Sequence, residues 1–265
     1  MMQIDAVILA GGIPQPGELL YTYTQGKPKA MLEMAGRSML AWVLAALDGA
    51  ATVRRVAVSG LEAPAAPVPC LKPLVYVPDR GSIMGNAQAG VRELAKTGPV
   101  SRNVLIVSSD IPALTPQIVD WLVATAEETD DEVYYSLIPR EKMETRFPGS
   151  KRSYFYFKDG VFTGGDINLL SADLLLRGHA KAPALIEARK NIFKQAQLIG
   201  WDVLILFALR RLTVDEAVRT ASQRLTLKGR AVICPYAEAG MDVDKPRQFD
   251  LVRRDLETRI ERAAA

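Results

Sequence analysis

An α/β fold, built on a mostly parallel sheet with helices on both faces, is what this sequence predicts. Three observations carry the prediction: short continuous apolar runs that end abruptly, helix-length segments alternating with them, and turn residues at the junctions. Ala6-Val-Ile-Leu-Ala10 is the first run. It ends at Gly11-Gly12, as a strand buried on both faces does before it empties into a loop. Met39 to Leu47 carries helix-forming apolar residues, and Val53-Arg-Arg-Val-Ala-Val58 reads as the second strand, which completes a βαβ unit. A proline-rich connector over 63–73 leads to a third strand, Leu74-Val-Tyr-Val77, and 84–96 reads as a helix ending before Gly98-Pro99. Asn103-Val-Leu-Ile-Val-Ser108 is the fourth strand. Its apolar stretch stops at Ser109-Asp110, and Thr115-Pro116 opens a helix through about Thr129. Four such repeats imply a parallel sheet wound by right-handed crossovers.

From about 132 the pattern changes. Glu132 to Ile138 and Tyr154 to Lys158 alternate like exposed strands, around a loop holding Arg140, Lys142, Arg146, Lys151 and Arg152. A helix-rich stretch from about 171 to 225 follows, then a last strand at Ala231 to Cys234, the acidic run Met241-Asp-Val-Asp244 and a terminal helix.

Composition narrows the function. With 265 residues, 49% hydrophobic and 24% charged, the chain can bury a substantial core. Lys plus Arg total 33 against 30 acids, a net of +3, too small for a protein that coats nucleic acid. Cys70 and Cys234 form no Cys-x-x-Cys pair, and one histidine, His179, builds neither a poly-histidine zinc site nor a trustworthy triad. The chain starts Met1-Met2-Gln3-Ile4-Asp5 without the order of a signal peptide, and the longest apolar run, Val203 to Leu209, is far below a membrane span. A cytoplasmic protein in a reducing compartment is expected.

In open parallel sheets, ligands bind beyond the carboxyl ends of the strands, so Gly11-Gly12 and Asp110 should face one crevice. Glycines let backbone amides approach a phosphate, and a carboxylate across the crevice suits a Mg²⁺ that bridges it. Lys27 and Lys29 close the first loop and can return over the same strand ends. The set reads as a nucleotide site. It lacks both the third spaced glycine of the dinucleotide fingerprint and the Gly-x-x-x-x-Gly-Lys-Ser/Thr of a P-loop.

Leu9-Ala-Gly-Gly12, Lys27-Pro-Lys-Ala-Met-Leu32 and Gly36-Arg-Ser-Met-Leu40 together resemble the N-terminal signature of nucleotidyltransferases with a glycosyltransferase-A-like fold. This group includes sugar-1-phosphate, molybdenum-cofactor and methylerythritol-phosphate nucleotidyltransferases. Ser108-Ser-Asp-Ile-Pro112 resembles its metal-aspartate strand end, and Met241-Asp-Val-Asp-Lys-Pro246 its second acidic motif. The resemblance implies a three-layer Rossmann-like sheet with a smaller substrate-side insertion. It divides the single domain 1–265 into a nucleotide-binding half (1–130), an acceptor-binding and helical part (131–230), and a segment with the second metal motif and terminal helix (231–265). Leu9, Ala10, Gly11, Gly12, Lys27 and Lys29 would bind the triphosphate, with Gly85 and Asn86 near the base or ribose. Asp110 with Asp242 or Asp244 would hold Mg²⁺, and Lys29 and Asp110 would carry catalysis. The implied partners are a nucleoside triphosphate and a phosphorylated small-molecule acceptor.

The acceptor is expected in the non-repetitive middle, against Lys151, Arg152, Gly165 and Asn168. Each signal has a plainer reading. Asp110 can cap a helix, Asp242 and Asp244 can sit on one strand face and pair with Lys245 or Arg247, Lys151 and Arg152 can be solvated, and Asn168 can satisfy local backbone. His179 reads as a helix-end residue with no role. Trp201 to Arg211 is apolar on nearly every side, which favours a buried helix or a dimer contact over a membrane-surface helix. Two rivals remain: a glycosyltransferase of the related fold, which typically carries Asp-x-Asp where this chain has Ser-Ser-Asp, and a nucleotide-binding protein without catalysis. The second is suggested by a long loop, Ile13 to Gly26, that holds no arginine.

Overall fold

The computed structural model describes residues 3–177 and 200–264; the reading of His179 lies outside them, as does part of the helix-rich stretch. Strands β1 (Ile4–Leu9), β4 (Val53–Ser59), β5 (Leu74–Val77) and β6 (Asn103–Ser108) are the four predicted apolar runs, and they pair in parallel in the order β5-β4-β1-β6. Between β1 and β4 lies a small antiparallel pair, β2 (Glu33–Met34) and β3 (Arg37–Ser38).

Alternate residues of β1 point to opposite faces, and both faces are covered. Ile4, Ala6 and Ile8 pack into a core with the helices Met39–Gly49, Pro116–Glu127 and Pro246–Ala264. Val7 packs on the other face with Met84, Ala87, Val91 and Leu94 of the helix Ile83–Ala95, and with Leu175 of the helix Ala172–Arg177. The predicted three-layer α/β architecture is therefore present.

The second half departs from the sequence reading in several places. β7 (Val133–Pro139) is buried, with Tyr134, Ser136 and Ile138 fully enclosed, whereas alternation suggested an exposed strand. It lies inside the sheet, flanked along its length by β10 (Ile167–Ser171), β9 (Gly160–Gly164) and the parallel edge strand β11 (Gly229–Ile233). β8 (Phe155–Phe157) closes a hairpin with β9. Within the stretch expected as a loop, Arg140–Arg146 is a short helix. The glycine pair at 164–165 hid β9 and β10, because glycine weakens any strand signal.

β10 is antiparallel to both β6 and β7. An antiparallel strand begins where its parallel neighbours end, so the start of β10 lies at the carboxyl edge of β6. There the Ser108 N–H donates to the Asp166 carbonyl at 2.8 Å.

The helix Trp201–Ala208 is the largest correction. Val203 is buried, but Trp201, Ile205, Leu206 and Leu209 are exposed. The buried-helix expectation fails: Val203 is buried, Phe207 packs on Phe157 and Asp202 pairs with Arg224, while Trp201, Ile205, Leu206 and Leu209 keep more than a third of their surface exposed and Leu204 is half-buried. The Met241–Asp244 stretch, expected as a strand, is extended without ladder pairing. Its alternation persists nonetheless: Met241 and Val243 are fully buried, while Asp242 and Asp244 face the other way.

Candidate active site

The register brings the strand ends together. Leu9 pairs with Ser59 on one side and Ser108 on the other, so the residues that follow β1, β4 and β6 emerge along one edge. Gly60, in a left-handed conformation at φ +96°, lies against Gly11: a Cβ on Gly60 would stand 2.4 Å from the Gly11 nitrogen. A Cβ on Gly11 would in turn meet Asp79 Oδ1 at 2.7 Å and Asn86 Nδ2 at 2.8 Å. Only residues without side chains fit this crossing. Asn86 is buried, donates to Asp79 at 2.7 Å and accepts from the Arg80 N–H at 2.8 Å. Gly85 lies in the first turn of the helix Ile83–Ala95, where its N–H donates to the capping Ser82 hydroxyl at 3.0 Å.

The long first loop leaves Gly12 and is pinned before it returns. Leu20 and Thr24 are buried, and the Tyr23 ring lies 5.0 Å from that of Phe249 on the terminal helix. Gln25 and Gly26, both at positive φ, end the short helical turn Tyr21–Thr24 and redirect the chain. The Lys29 N–H then donates to the Gly12 carbonyl at 2.8 Å, which places Lys29 over the strand ends; Lys27 is exposed.

The Lys29 ammonium is 12% exposed and donates to Asp110 Oδ2 at 2.5 Å and to Asp244 Oδ1. Burial alone would lower its pKa, but the charges of Asp110 and Asp244 outweigh that and hold it above the ordinary lysine range. Ser108 donates to the other oxygen of Asp110 at 2.5 Å. Thr115, not Asp110, stands at the N-cap position of the following helix. The Asp110 carbonyl accepts from the Val243 N–H at 3.0 Å, and the Gln248 side chain accepts from the Asp244 N–H at 2.9 Å. The first bond ties the second acidic motif to the first, and the second ties it to the terminal helix Pro246–Ala264.

A second cation completes the cluster. Arg152 is buried rather than solvated, donates to Asp242 and to the Gly164 carbonyl at 3.3 Å, and lies 3.4 Å from Asp166. Asp242 and Asp244 therefore pair with Arg152 and Lys29. The alternative partner Lys245 donates instead to the Lys151 carbonyl at 3.1 Å. Asp166 was not singled out from the sequence, yet it sits among Asp110, Asp242 and Asp244; its pKa rises well above the carboxylate range, through burial first and then the charges of Asp242 and Asp110. Asp242 shifts upward for the same leading reason, with Arg152 opposing. Asp244 is 57% exposed and shifts downward, because Lys29 outweighs its burial. Among the described residues, no group of three or more His, Cys, Asp or Glu side chains is arranged as a metal cage.

Asn168 accepts from the Ser136 N–H at 2.8 Å and donates to the Gly165 carbonyl at 3.2 Å, so it holds the kink between β9 and β10. Gly165 crosses β7 so closely that a Cβ would stand 2.7 Å from that of Ser136. Lys151 is exposed at φ +54°.

The sequence profile described as MobA-like NTP transferase domain matches residues 6–228. The chain belongs to this family. It is a nucleotidyltransferase, which sets aside the glycosyltransferase rival. A hypothetical transferase from Thermus thermophilus is 32% identical over 94% of this chain and 100% of its own, with a TM-score of 0.80. A 4-diphosphocytidyl-2C-methyl-D-erythritol synthase (16% identity, 97% and 100% coverage, TM-score 0.57) shares the fold. So does a CMP:2-keto-3-deoxy-manno-octonic acid synthetase complexed with CTP (12%, 98% and 100%, 0.54). No curated protein matches.

Proposed function

We propose that this NTP transferase joins the nucleotidyl group of a nucleoside triphosphate to a phosphorylated small-molecule acceptor and releases pyrophosphate. The observation that supports this reading is the meeting of Lys29, Asp110 and Asp244 at the carboxyl edge of the parallel strands, beside the close-packed Gly11. An acceptor phosphate oxygen attacks the α-phosphorus. The new P–O bond forms as the bond from that phosphorus to the bridging oxygen breaks, and the electron pair leaves with pyrophosphate. The attacking oxygen is already anionic, so no histidine base is needed.

Gly11 and Gly12, following Leu9 and Ala10, present backbone to the triphosphate, and Lys27 and Lys29 neutralise its oxygens as charge develops. Gly85 and Asn86 border the base or ribose. Mg²⁺ fits the donor set: the carboxylate oxygens are hard ligands, and one ammonium already spans Asp110 and Asp244, so the two can share a cation. Those residues, with Asp242 beside them, would hold the ion, which supplies further charge neutralisation at the phosphates. On the acceptor side Lys151 offers a free cationic head, while Arg152, Gly165 and Asn168 shape the wall behind it.

The test is pyrophosphate release from each of the four NTPs with Mg²⁺, against sugar-1-phosphates, polyol phosphates and molybdopterin, with Asp110→Ala as control. Release that depends on one acceptor and disappears in the variant supports the proposal and names the substrate. NTP binding with no release in any combination favours binding without catalysis, and absence of NTP binding overturns the reading.

A further inference from the structure

We propose that Ser108 is a positioning residue for the divalent cation: its hydroxyl takes up one oxygen of Asp110 and leaves the other for the ion, which favours Mg²⁺ over Ca²⁺. The inference rests on the reading that Asp110 and Asp244 hold that cation. Ser108 Oγ donates to Asp110 Oδ1 at 2.5 Å, while Lys29 Nζ lies 2.5 Å from Asp110 Oδ2 and also meets Asp244 Oδ1. The two oxygens of Asp110 therefore have different tasks. Oδ2 faces Asp244 across a cationic group, and Oδ1 is turned back to the strand it follows. A carboxylate can turn about its Cα–Cβ and Cβ–Cγ bonds. The hydroxyl bond fixes which oxygen points at Asp244.

Both ends of this bond stand on fixed supports. Ser108 pairs with Leu9 of β1, and its N–H donates to the Asp166 carbonyl at 2.8 Å. The Asp110 carbonyl accepts from the Val243 N–H at 3.0 Å, and the Asp110 side chain is 16% exposed, so little water competes for Oδ1. Ser59 gives the contrast. It pairs with Leu9 from the other side, at the end of β4, is fully buried, and its hydroxyl has no hydrogen-bond partner among the described residues. Of the two serines beside Leu9, Ser108 is the one turned to a carboxylate of the site. Coordination chemistry gives that bond its consequence. Mg²⁺ demands near-ideal octahedral geometry, whereas the larger Ca²⁺ takes more oxygens and readily accepts a carboxylate through both of its own. A carboxylate whose Oδ1 already accepts a hydroxyl bond is biased toward ligation through Oδ2 alone. Hydrogen bonds of this kind orient a ligating group, and losing one typically costs about 10–100-fold in metal affinity.

The experiment is titration of the full chain with Mn²⁺ in the absence of nucleotide, read by electron paramagnetic resonance, followed by displacement with Mg²⁺ and with Ca²⁺. Ser108→Ala should raise the Mn²⁺ and Mg²⁺ dissociation constants about tenfold and that of Ca²⁺ by less, so that the preference for Mg²⁺ over Ca²⁺ narrows. Ser108→Thr keeps the hydroxyl and should restore both affinity and preference, and Ser59→Ala should leave them unchanged. Ser108→Cys, with a weaker donor, should fall between alanine and the wild type; it keeps the test meaningful if the alanine variant fails to fold by circular dichroism. Unchanged ion binding in Ser108→Ala, an equal loss for Mg²⁺ and Ca²⁺, or a loss in Ser108→Thr as deep as in alanine would each overturn the inference. Asp110→Ala separates it from the reading beneath it. Mn²⁺ binding that survives Asp110→Ala, or its absence from the wild type, overturns the metal site and this inference with it. Binding lost in Asp110→Ala but kept in Ser108→Ala overturns the inference alone.

Discussion

Lys29 and Arg152 are each 12% exposed and each is surrounded by carboxylates, but removing them has different consequences. Lys29 reaches the partly open Asp244, so Lys29→Met leaves a cluster that water can still reach. If Lys29 stabilises charge on the transferring phosphate, the variant should lose about 10²–10³ in kcat while its thermal midpoint moves little, measured by pyrophosphate release and calorimetry. Arg152→Met leaves Asp242, 13% exposed, without its counter-ion and next to Asp166. Breaking a buried pair in this way costs about 3–5 kcal/mol, so this variant should show its defect first in urea unfolding. Lys29 and Asp110 were legible in the sequence because each follows a local signal, a strand end or a returning loop. Asp166 carried no such signal: its acidity matters only through neighbours that the chain supplies from elsewhere. The Ile167-Asn-Leu-Leu-Ser171 run after it, with apolar residues on alternate positions, was the one cue that a strand begins there.

At the level of elements, the bent β9–β10 strand sets the geometry of the site. It starts at the outer hairpin, kinks at Gly165 and Asp166, and continues between β6 and β7. Asn168 bonds across the kink, and Gly165 allows the strand to pass Ser136. Gly165→Ala should therefore force β7 and β10 apart, lowering stability by about 1–3 kcal/mol in denaturant titration. It should weaken transfer as well, since Asp166 and the Gly164 carbonyl both bear on Arg152. The parallel strands β1, β4, β5 and β6 were legible because burial on both faces writes a continuous apolar run. β9 and β10 were not, because a kink needs the residues that a strand avoids. The helix Trp201–Ala208 misled for a related reason: an all-apolar segment reads as core, although its side chains cannot report whether anything covers them.

Across the whole molecule, the edge of the sheet opposite the site is held by one fully buried carboxylate. Asp5 accepts from Arg54 Nε at 2.8 Å, Arg55 Nε at 2.9 Å and the Ser101 N–H at 2.9 Å, which ties β1 to β4 and to the approach to β6. Burial would raise its pKa, yet the bonds from Arg55, Arg54 and Ser101 bring it down to about 2. A depressed carboxylate stabilises the fold above its unfolded pKa, and that contribution is lost as pH falls through the folded one. Unfolding free energy should thus decline between about pH 4 and pH 2. Asp5→Asn should flatten that decline and remove about 2 kcal/mol near neutral pH, as read from urea titrations across the range.

By itself the sequence determined the order of strands and helices in the first half, the two-sided sheet there, and the two glycines, lysine and aspartate that mark the strand ends, because each is written in the period and punctuation of a short segment. Only the tertiary structure decided which charges meet. Lys29 and Asp244 are 215 residues apart, Arg152 and Asp242 are 90 apart, and the antiparallel insertion of β10 brings Asp166 among them. Electrostatic partners follow distance in space, and no local pattern encodes that distance.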